Sequence, residues 1–359
     1  MNTTAKKVTV SQQYYGLIDN NEVYAFILKN SMVEIGITNL GCIILSVNTP
    51  DKNGDTKNIV AGFKTIPEYK NNKDFFGCVV GRYANRISNG CFKIGEKTYQ
   101  LQLNDGNNNL HGGTVGFDKK VWNLQRIISN ENEAGVELSY LSKDGEEGFP
   151  GNLEVSVTYL LNHRNELTIH YKATTDKATP VSLTNHSYFN LTGFENNSVL
   201  NHSLTIYSNE YTEKNEHNQP TGKFINVANT VFDFRSAKRL GTAINDAVLK
   251  NDRGYDHNFV LKHHHSEELV HAATLSDNET GRKMDVYTTA PGIQVYTANF
   301  WDGSVNGSQN VIYKKHSAIA LETQLFPDSP NHAHFPTAIL HPGEEYNSTT
   351  IYTFGFTHS

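Results

Sequence analysis

Period-two alternation is the feature that most limits how this chain folds. Over residues 153–161, Val155, Val157 and Tyr159 fall on one side while Glu154, Ser156 and Thr158 fall on the other. Leu167, Ile169, Tyr171 and Ala173 alternate in the same way with Thr168, His170, Lys172 and Thr174, and Val33, Ile35 and Ile37 repeat the arrangement near the start. Successive strand side chains point to opposite faces, so this pattern builds antiparallel sheets with one packed face and one wetter face. Turn signals such as Lys52-Asn53-Gly54-Asp55, Asp105-Gly106, Lys143-Asp144-Gly145 and Trp301-Asp302-Gly303 separate the runs. Helical patterning is sparse: the best segment is 236–247, with a short turn at Ile66-Pro67-Glu68-Tyr69. The pattern predicts one large all-β domain over residues 14–359, a sandwich or closed sheet with long functional loops, preceded by a flexible extension at 1–13.

Charge and cysteine usage narrow the function. The chain has 31 Lys plus Arg against 37 Asp plus Glu, a net charge of −6 with no basic block. Nucleic acid and anionic membrane surfaces need clustered cations, so neither is an expected partner, and no protein partner is evident. No apolar run approaches the roughly 20 residues of a membrane span, and no apolar stretch follows Lys6-Lys7, so no leader is read. Cys42, Cys78 and Cys91 are odd in number and widely spaced, which argues against a disulfide framework or a zinc site. They are expected to be reduced and mostly buried, in a cytoplasmic monomer.

Several polar stretches break the strand pattern: Gly81–Ile87 with Arg82, Asn85 and Arg86; Leu110-His111-Gly112-Gly113; Asn185-His186-Ser187-Tyr188; Asp256-His257-Asn258; Gln294-Val295-Tyr296; and Leu321-Glu322-Thr323-Gln324. Arg, Asn, His, Asp, Gln and Glu together are suited to gripping many hydroxyl groups, and Tyr188 and Tyr296 can stack on the apolar face of a sugar. Parity puts His186 with Ser182 and Thr184, and Glu322 with Ala318 and Ala320, each on a face of small residues with room for a ligand. The same parity also fits two solvent-facing polar residues on half-buried strands. Arg82 and Arg86 equally suit structural ion pairs, Gly112-Gly113 a tight turn, and Asp256 a turn bonded to its own backbone. His263-His264-His265 suits a solvated loop better than a metal site, because adjacent strand residues face opposite ways. His332 and His334 have compatible parity but no third ligand. No GxGxxG, Walker loop, GxSxG or HExxH is present.

In this order and register, the segments resemble the aldose 1-epimerase (galactose mutarotase) family, from about Tyr15-Gly16 to Tyr352-Thr353-Phe354-Gly355. Val121-Trp122, Ser329-Pro330-Asn331-His332, Phe335-Pro336 and Pro342-Gly343-Glu344 add to the likeness. The resemblance implies a large twisted antiparallel β-sandwich with a sugar site in an open cleft. It implies His186 as general acid and Glu322 as general base, with Asn85, Arg86, His111, Ser187, Tyr188, Asp256 and Gln294 binding an aldose such as galactose or glucose. Arg82 is read as a loop-shaping residue. Departures are Tyr14-Tyr15-Gly16 in place of Phe-Gly, Cys42 after Gly41, and an insertion-like stretch at 263–269.

Such a reaction removes the proton of the C1 hydroxyl while protonating the ring oxygen, so it needs two groups in opposite protonation states. Reference pKa values of about 4.3 for Glu and about 6.5 for His place Glu322 as an ionised base and His186 as an acid when a contact favours its cation. No redox cofactor and no catalytic metal are implied; a structural cation such as Ca²⁺ is left open by the sequence. A glycoside hydrolase using Asp256 and Glu322, a non-catalytic sugar-binding module and a hexose-6-phosphate epimerase of the same fold are the rival readings. The last would need an added cationic pocket, and no such Lys/Arg cluster is visible.

Overall fold

The alternating segments become strands, and their apolar rows meet in one interior. The computed structural model describes residues 7–261 and 268–357. In the strand Leu153–Asn162 every second residue from Leu153 is buried, and it pairs with Glu166–Thr175 so that Val157 opposes Tyr171 and Tyr159 opposes Ile169. These strands belong to an antiparallel sheet of nine, to which Tyr346–Phe356 contributes a central member. A second sheet of six contains Ser208–Lys214, Asp256–Leu261, Gly292–Tyr296 and Ile319–Gln324, and a third of five is formed by residues 9–58. The largest apolar cluster joins Val157 and Tyr171 of the first sheet, Ile293 and Leu321 of the second, and Phe26 and Ile35 of the third. Each such side chain, when fully buried, contributes roughly 1.5–3 kcal/mol, so the layers are held face to face chiefly by this cluster. The architecture is an all-β sandwich, as the alternation requires.

Two expectations need correction. Thr9–Ile18 is a strand paired with Asn21–Lys29, with a register shift between Tyr14 and Gly16, so residues 9–13 belong to the sheet and not to an extension. Segment 236–247 is not an α-helix: it holds a two-residue strand, Lys238–Arg239, and a single 3₁₀ turn, Leu240–Ala243. Apolar residues are too few there to form a helical stripe, and Leu240 alone of that turn is buried. Among the described residues the α-helix is Ile66–Lys70, where the Glu68 carboxylate accepts from the Thr65 N–H (2.8 Å) and hydroxyl (2.7 Å). His263-His264-His265 lies outside the described residues.

The six-stranded sheet positions the site. Asp256–Leu261 and Ile319–Gln324 alternate in sequence, yet every residue of both is buried. Their apolar row enters the core, and loops cover the polar row. That cover decides against the solvent-facing alternative for Glu322.

Candidate active site

Register brings the polar row together. Asn258 lies opposite Gln294, and Gln294 opposite Glu322, on three adjacent strands. By alternation Asp256, Gln294, Tyr296 and Glu322 share one face, while Phe259, Ile293, Val295 and Leu321 enter the core from the other. Tyr188 joins from the edge, opposite Ala320. Loops carrying Asn85, Arg86, His111, His186 and Phe75 close over these residues around a cavity of about 340 Å³. Larger surface hollows of about 450 and 590 Å³ lie elsewhere, but neither gathers a buried acid and base.

The loop from Gly81 to His111 is locked by backbone geometry. The Asn85 N–H donates to His111 Nδ1 (3.1 Å), and the His111 N–H returns to the Asn85 carbonyl (3.1 Å). A backbone N–H can only donate, so Nδ1 is the acceptor and the proton of the neutral ring sits on Nε2. Burial also holds His111 well below the usual histidine range, with His186 and Arg86 adding to the effect. Gly112 follows at φ +86°, and a Cβ there would lie 1.9 Å from the Gly81 carbonyl oxygen. The glycine is required by backbone approach.

His186 and Glu322 form the titratable pair. His186 sits between the short strands Thr184–Asn185 and Tyr188–Phe189, pinned by its N–H to the Cys78 carbonyl (2.8 Å) and its carbonyl to the Gly77 N–H (3.0 Å). Its Nε2 is 3.5 Å from Glu322 Oε1, with the side chains 5% and 2% exposed. Phe75 stacks on its ring at 5.9 Å, and Tyr188 packs against it at 4.8 Å. His186 Nδ1 and Glu322 Oε2 are buried without a protein hydrogen-bond partner. Burial pulls His186 down to about 4, only partly offset by a backbone hydrogen bond and the charge of Asp256. Burial pushes the Glu322 carboxyl well above its ordinary range; Asp256 adds to this and Arg86 opposes it. Burial thus disfavours the charged form of both groups: the imidazole is neutral at neutral pH, and the carboxyl holds its proton more tightly than an exposed one.

Asp256 is the opposite case. Burial pushes its carboxyl up, yet Lys214 first, then Arg86, His257 and Gln294, outweigh that and hold it down at about 2. Gln294 Nε2 donates to its Oδ1 (2.6 Å), and Arg86 Nη1 lies 3.8 Å from its Oδ2. Arg86 Nε also donates to Asp105 Oδ2 (2.7 Å), so this cation is shared by two carboxylates. Asp256 heads a strand and is no mere turn residue.

The structure gathers Asn85, Arg86, His111, His186, Tyr188, Asp256, Gln294 and Glu322 at the cavity wall. Ser187 is the exception: it is buried one residue beyond His186, but lies outside the wall. Arg82 is structural, its guanidinium donating to the Ser142, Lys143 and Pro150 carbonyls at 2.8–2.9 Å. The wall also contains Lys73, Asp74, Phe75, Asp105 and Phe300, which the sequence reading missed. Of these only Asp105 carried a signal, its Asp-Gly turn. His332 and His334 have separate partners, with His332 3.6 Å from Asp328 and His334 donating to the Gly222 carbonyl (2.7 Å).

Ligand atoms of His111, His186 and Glu322 lie within 4.8 Å of one another, a spacing that invites a metal. The tautomer argues otherwise: His111 Nδ1 already accepts a hydrogen bond and Nε2 carries the proton, so the ring offers the cavity a donor rather than a lone pair. A buried acid–base pair ringed by hydrogen-bonding side chains and flanked by Tyr188, Tyr296 and Phe300 suits a neutral polyhydroxylated ring.

The sequence model of the family described as aldose 1-epimerase matches residues 24–353. The chain belongs to the aldose 1-epimerase family. It is 42% identical to galactose mutarotase of Sus scrofa over 349 residues, 97% of this chain and 99% of that protein. It is 43% identical to galactose mutarotase of Homo sapiens over 332 residues, 92% of this chain and 94% of that one. The crystal structure of galactose 1-epimerase from Lactobacillus acidophilus superposes with a TM-score of 0.86 at 30% identity, covering 98% of this chain and all of that one. This family member is an aldose 1-epimerase, an isomerase with a small-molecule sugar substrate. Among the described residues no helix is long and apolar enough to cross a membrane.

Proposed function

We propose that His186 and Glu322 move the protons in this epimerase and that free galactose is its preferred substrate, with glucose also accepted. The observation that carries the reading is the buried pair itself, 3.5 Å apart, with burial lowering His186 and raising Glu322. With the sugar seated, Glu322 takes the proton of the C1 hydroxyl and His186 gives one to the ring oxygen. The C1–O5 bond breaks as the C1 carbonyl forms, the C1–C2 bond rotates, and closure on the other face reverses both transfers. The enzyme then holds the same number of protons as before. Neutral His186 with protonated Glu322 is the state expected beside the open-chain aldehyde; the cyclic sugar reacts with the proton on His186. Both arrangements contain one proton, so a pH profile reports the pair and not either residue.

His111 Nε2–H, Asn85, Arg86, Asp256 and Gln294 hold the hydroxyls, and the wall aromatics pack on the ring's apolar face. No hydride or electron leaves the sugar, so the reaction uses no redox cofactor, and the His111 tautomer supports a reaction without metal. Galactose is favoured because the relatives at 42–43% identity are named for it. A sugar phosphate fits poorly: the wall has two cations, Lys73 and Arg86, against four carboxyl groups, Asp74, Asp105, Asp256 and Glu322. A glycosidase is disfavoured because Glu322 is paired with an imidazole where that chemistry uses a second carboxyl. Three unpaired cysteines support a reducing compartment, taken here as the cytoplasm, with the chain as a monomer.

Polarimetry of freshly dissolved α-D-galactose, α-D-glucose and galactose 6-phosphate tests the assignment. The expected order of acceleration is galactose, glucose, then the phosphate near background. A phosphate turned over as fast as galactose would overturn the free-sugar reading.

A further inference from the structure

We infer that Lys214 is a positioning residue of the sugar site, tying the Asp252 carboxylate to the head of the strand that carries Asp256 and fixing how the Asp256 carboxylate meets the sugar. The inference rests on the proposal that Asp256 binds a sugar hydroxyl. Lys214 ends the strand Ser208–Lys214, whose neighbour in the sheet is Asp256–Leu261. Its ammonium donates to Asp252 Oδ1 (2.9 Å) and to the backbone carbonyl of Asp256 (2.8 Å), and stands 3.9 Å from Asp256 Oδ2. Its side chain is 16% exposed, so the charge acts where water screens it poorly.

Each oxygen of Asp256 thus has a defined neighbour. Oδ1 accepts from Gln294, while Oδ2 lies between Lys214 and Arg86 at 3.9 and 3.8 Å. Arg86 cannot take over alone, because its Nε is committed to Asp105. Neither can His257: its Nδ1 accepts the Asp256 N–H, and burial first, then Lys214, keep the ring well below the usual range and neutral. Without the ammonium, Asp252 and Asp256 become neighbouring carboxyls offset only by Arg86, which Asp105 already shares, and one protonates or turns away. Ground state and transition state both lose that contact, so the loss appears in KM rather than kcat.

The test is a kinetic comparison of Lys214→Met, Lys214→Arg, Asp252→Asn and Asp256→Asn on α-D-galactose, with circular dichroism to verify folding. A lost hydrogen bond to a charged group corresponds to a change of about 10- to 100-fold, so Lys214→Met should raise KM by that factor with kcat within about threefold. Lys214→Arg should restore KM to within about threefold of wild type, and Asp252→Asn should raise it by roughly threefold or more, a milder version of the same loss. If Asp256→Asn is impaired but folded Lys214→Met has a wild-type KM, the inference fails and the Asp256 assignment stands. If Asp256→Asn itself behaves as wild type, the underlying reading fails instead. Equal loss in Lys214→Met and Lys214→Arg, confined to kcat or thermal stability, makes Lys214 a structural tie only and overturns the inference. Should Lys214→Met not fold, an unchanged KM in Asp252→Asn decides against it.

Discussion

Replacing Glu322 with Gln separates catalysis from stability because the structure predicts opposite signs for the two. Gln keeps the shape and volume of a side chain only 2% exposed, next to Gln294 across the ladder, but cannot exchange a proton with His186. General acid–base catalysis contributes about 10²–10⁴-fold, or roughly 3–5 kcal/mol of barrier, so kcat/KM for α-D-galactose should fall by that factor. Stability should move the other way. Burial raises the folded-state pKa of Glu322, so the stability linked to this group is fully present below the unfolded value of about 4.3 and is lost as pH rises through the folded one. A single group of this kind produces a slope of at most about 1.4 kcal/mol per pH unit. Gln does not titrate. Its melting temperature should therefore exceed that of wild type at pH 7–8, with the gap closing toward pH 4. The assay pairs polarimetric rates with calorimetric melts across that range. A variant within threefold of wild-type activity, or one whose stability deficit grows with pH, would refute the reasoning.

Four further outcomes follow from the same geometry. Because burial pulls His186 down to about 4, the acid limb of kcat/KM, which reports the lower apparent pKa of the pair, should fall near pH 4 rather than near the ordinary histidine value of about 6.5; the stability linked to His186 is present above about 6.5 and lost as pH falls through about 4. Gly112→Ala places a Cβ 1.9 Å from the Gly81 carbonyl oxygen and should cost about 1–3 kcal/mol in chemical denaturation, with loss of activity as the His111 loop shifts. Arg82→Met leaves the buried Ser142 and Pro150 carbonyls and the part-buried Lys143 carbonyl without their donor and should destabilise by about 3 kcal/mol or more, while KM of the folded enzyme stays near wild type. Exhaustive dialysis against EDTA should leave the polarimetric rate unchanged, since His111 presents a donor to the cavity.

How much could be read beforehand follows from what strands encode. Alternation at 153–175 reports one buried face, and that was enough for the sheet class. It also placed Glu322 on the correct side of its strand, but parity cannot say what covers a polar row. Here the cover is Phe75, His111 and Arg86, brought from residues more than 200 positions away. Burial by these loops lowers His186 and raises Glu322 from their reference values, so the pair is legible in the sequence while these shifts are not. Lys214, Asp252 and Phe300 follow no period and act through neighbours set by register. Ser187 shows the converse limit: the resemblance implies a place in the site beside His186, while the fold leaves it outside the cavity wall. The weak apolar spacing at 236–247 suits a helix on paper, but the segment folds as a short strand with a 3₁₀ turn.

The central claim is that His186 and Glu322 together carry the proton transfers of anomer interconversion. Its most direct test is the mutarotation rate of fresh α-D-galactose with the folded His186→Asn/Glu322→Gln double variant beside wild type. Wild type should speed the approach to an unchanged final rotation, while the double variant should follow the uncatalysed curve. A double variant that still accelerates the change to within about tenfold of wild type would contradict the claim, since acid–base catalysis alone contributes about 10²–10⁴-fold.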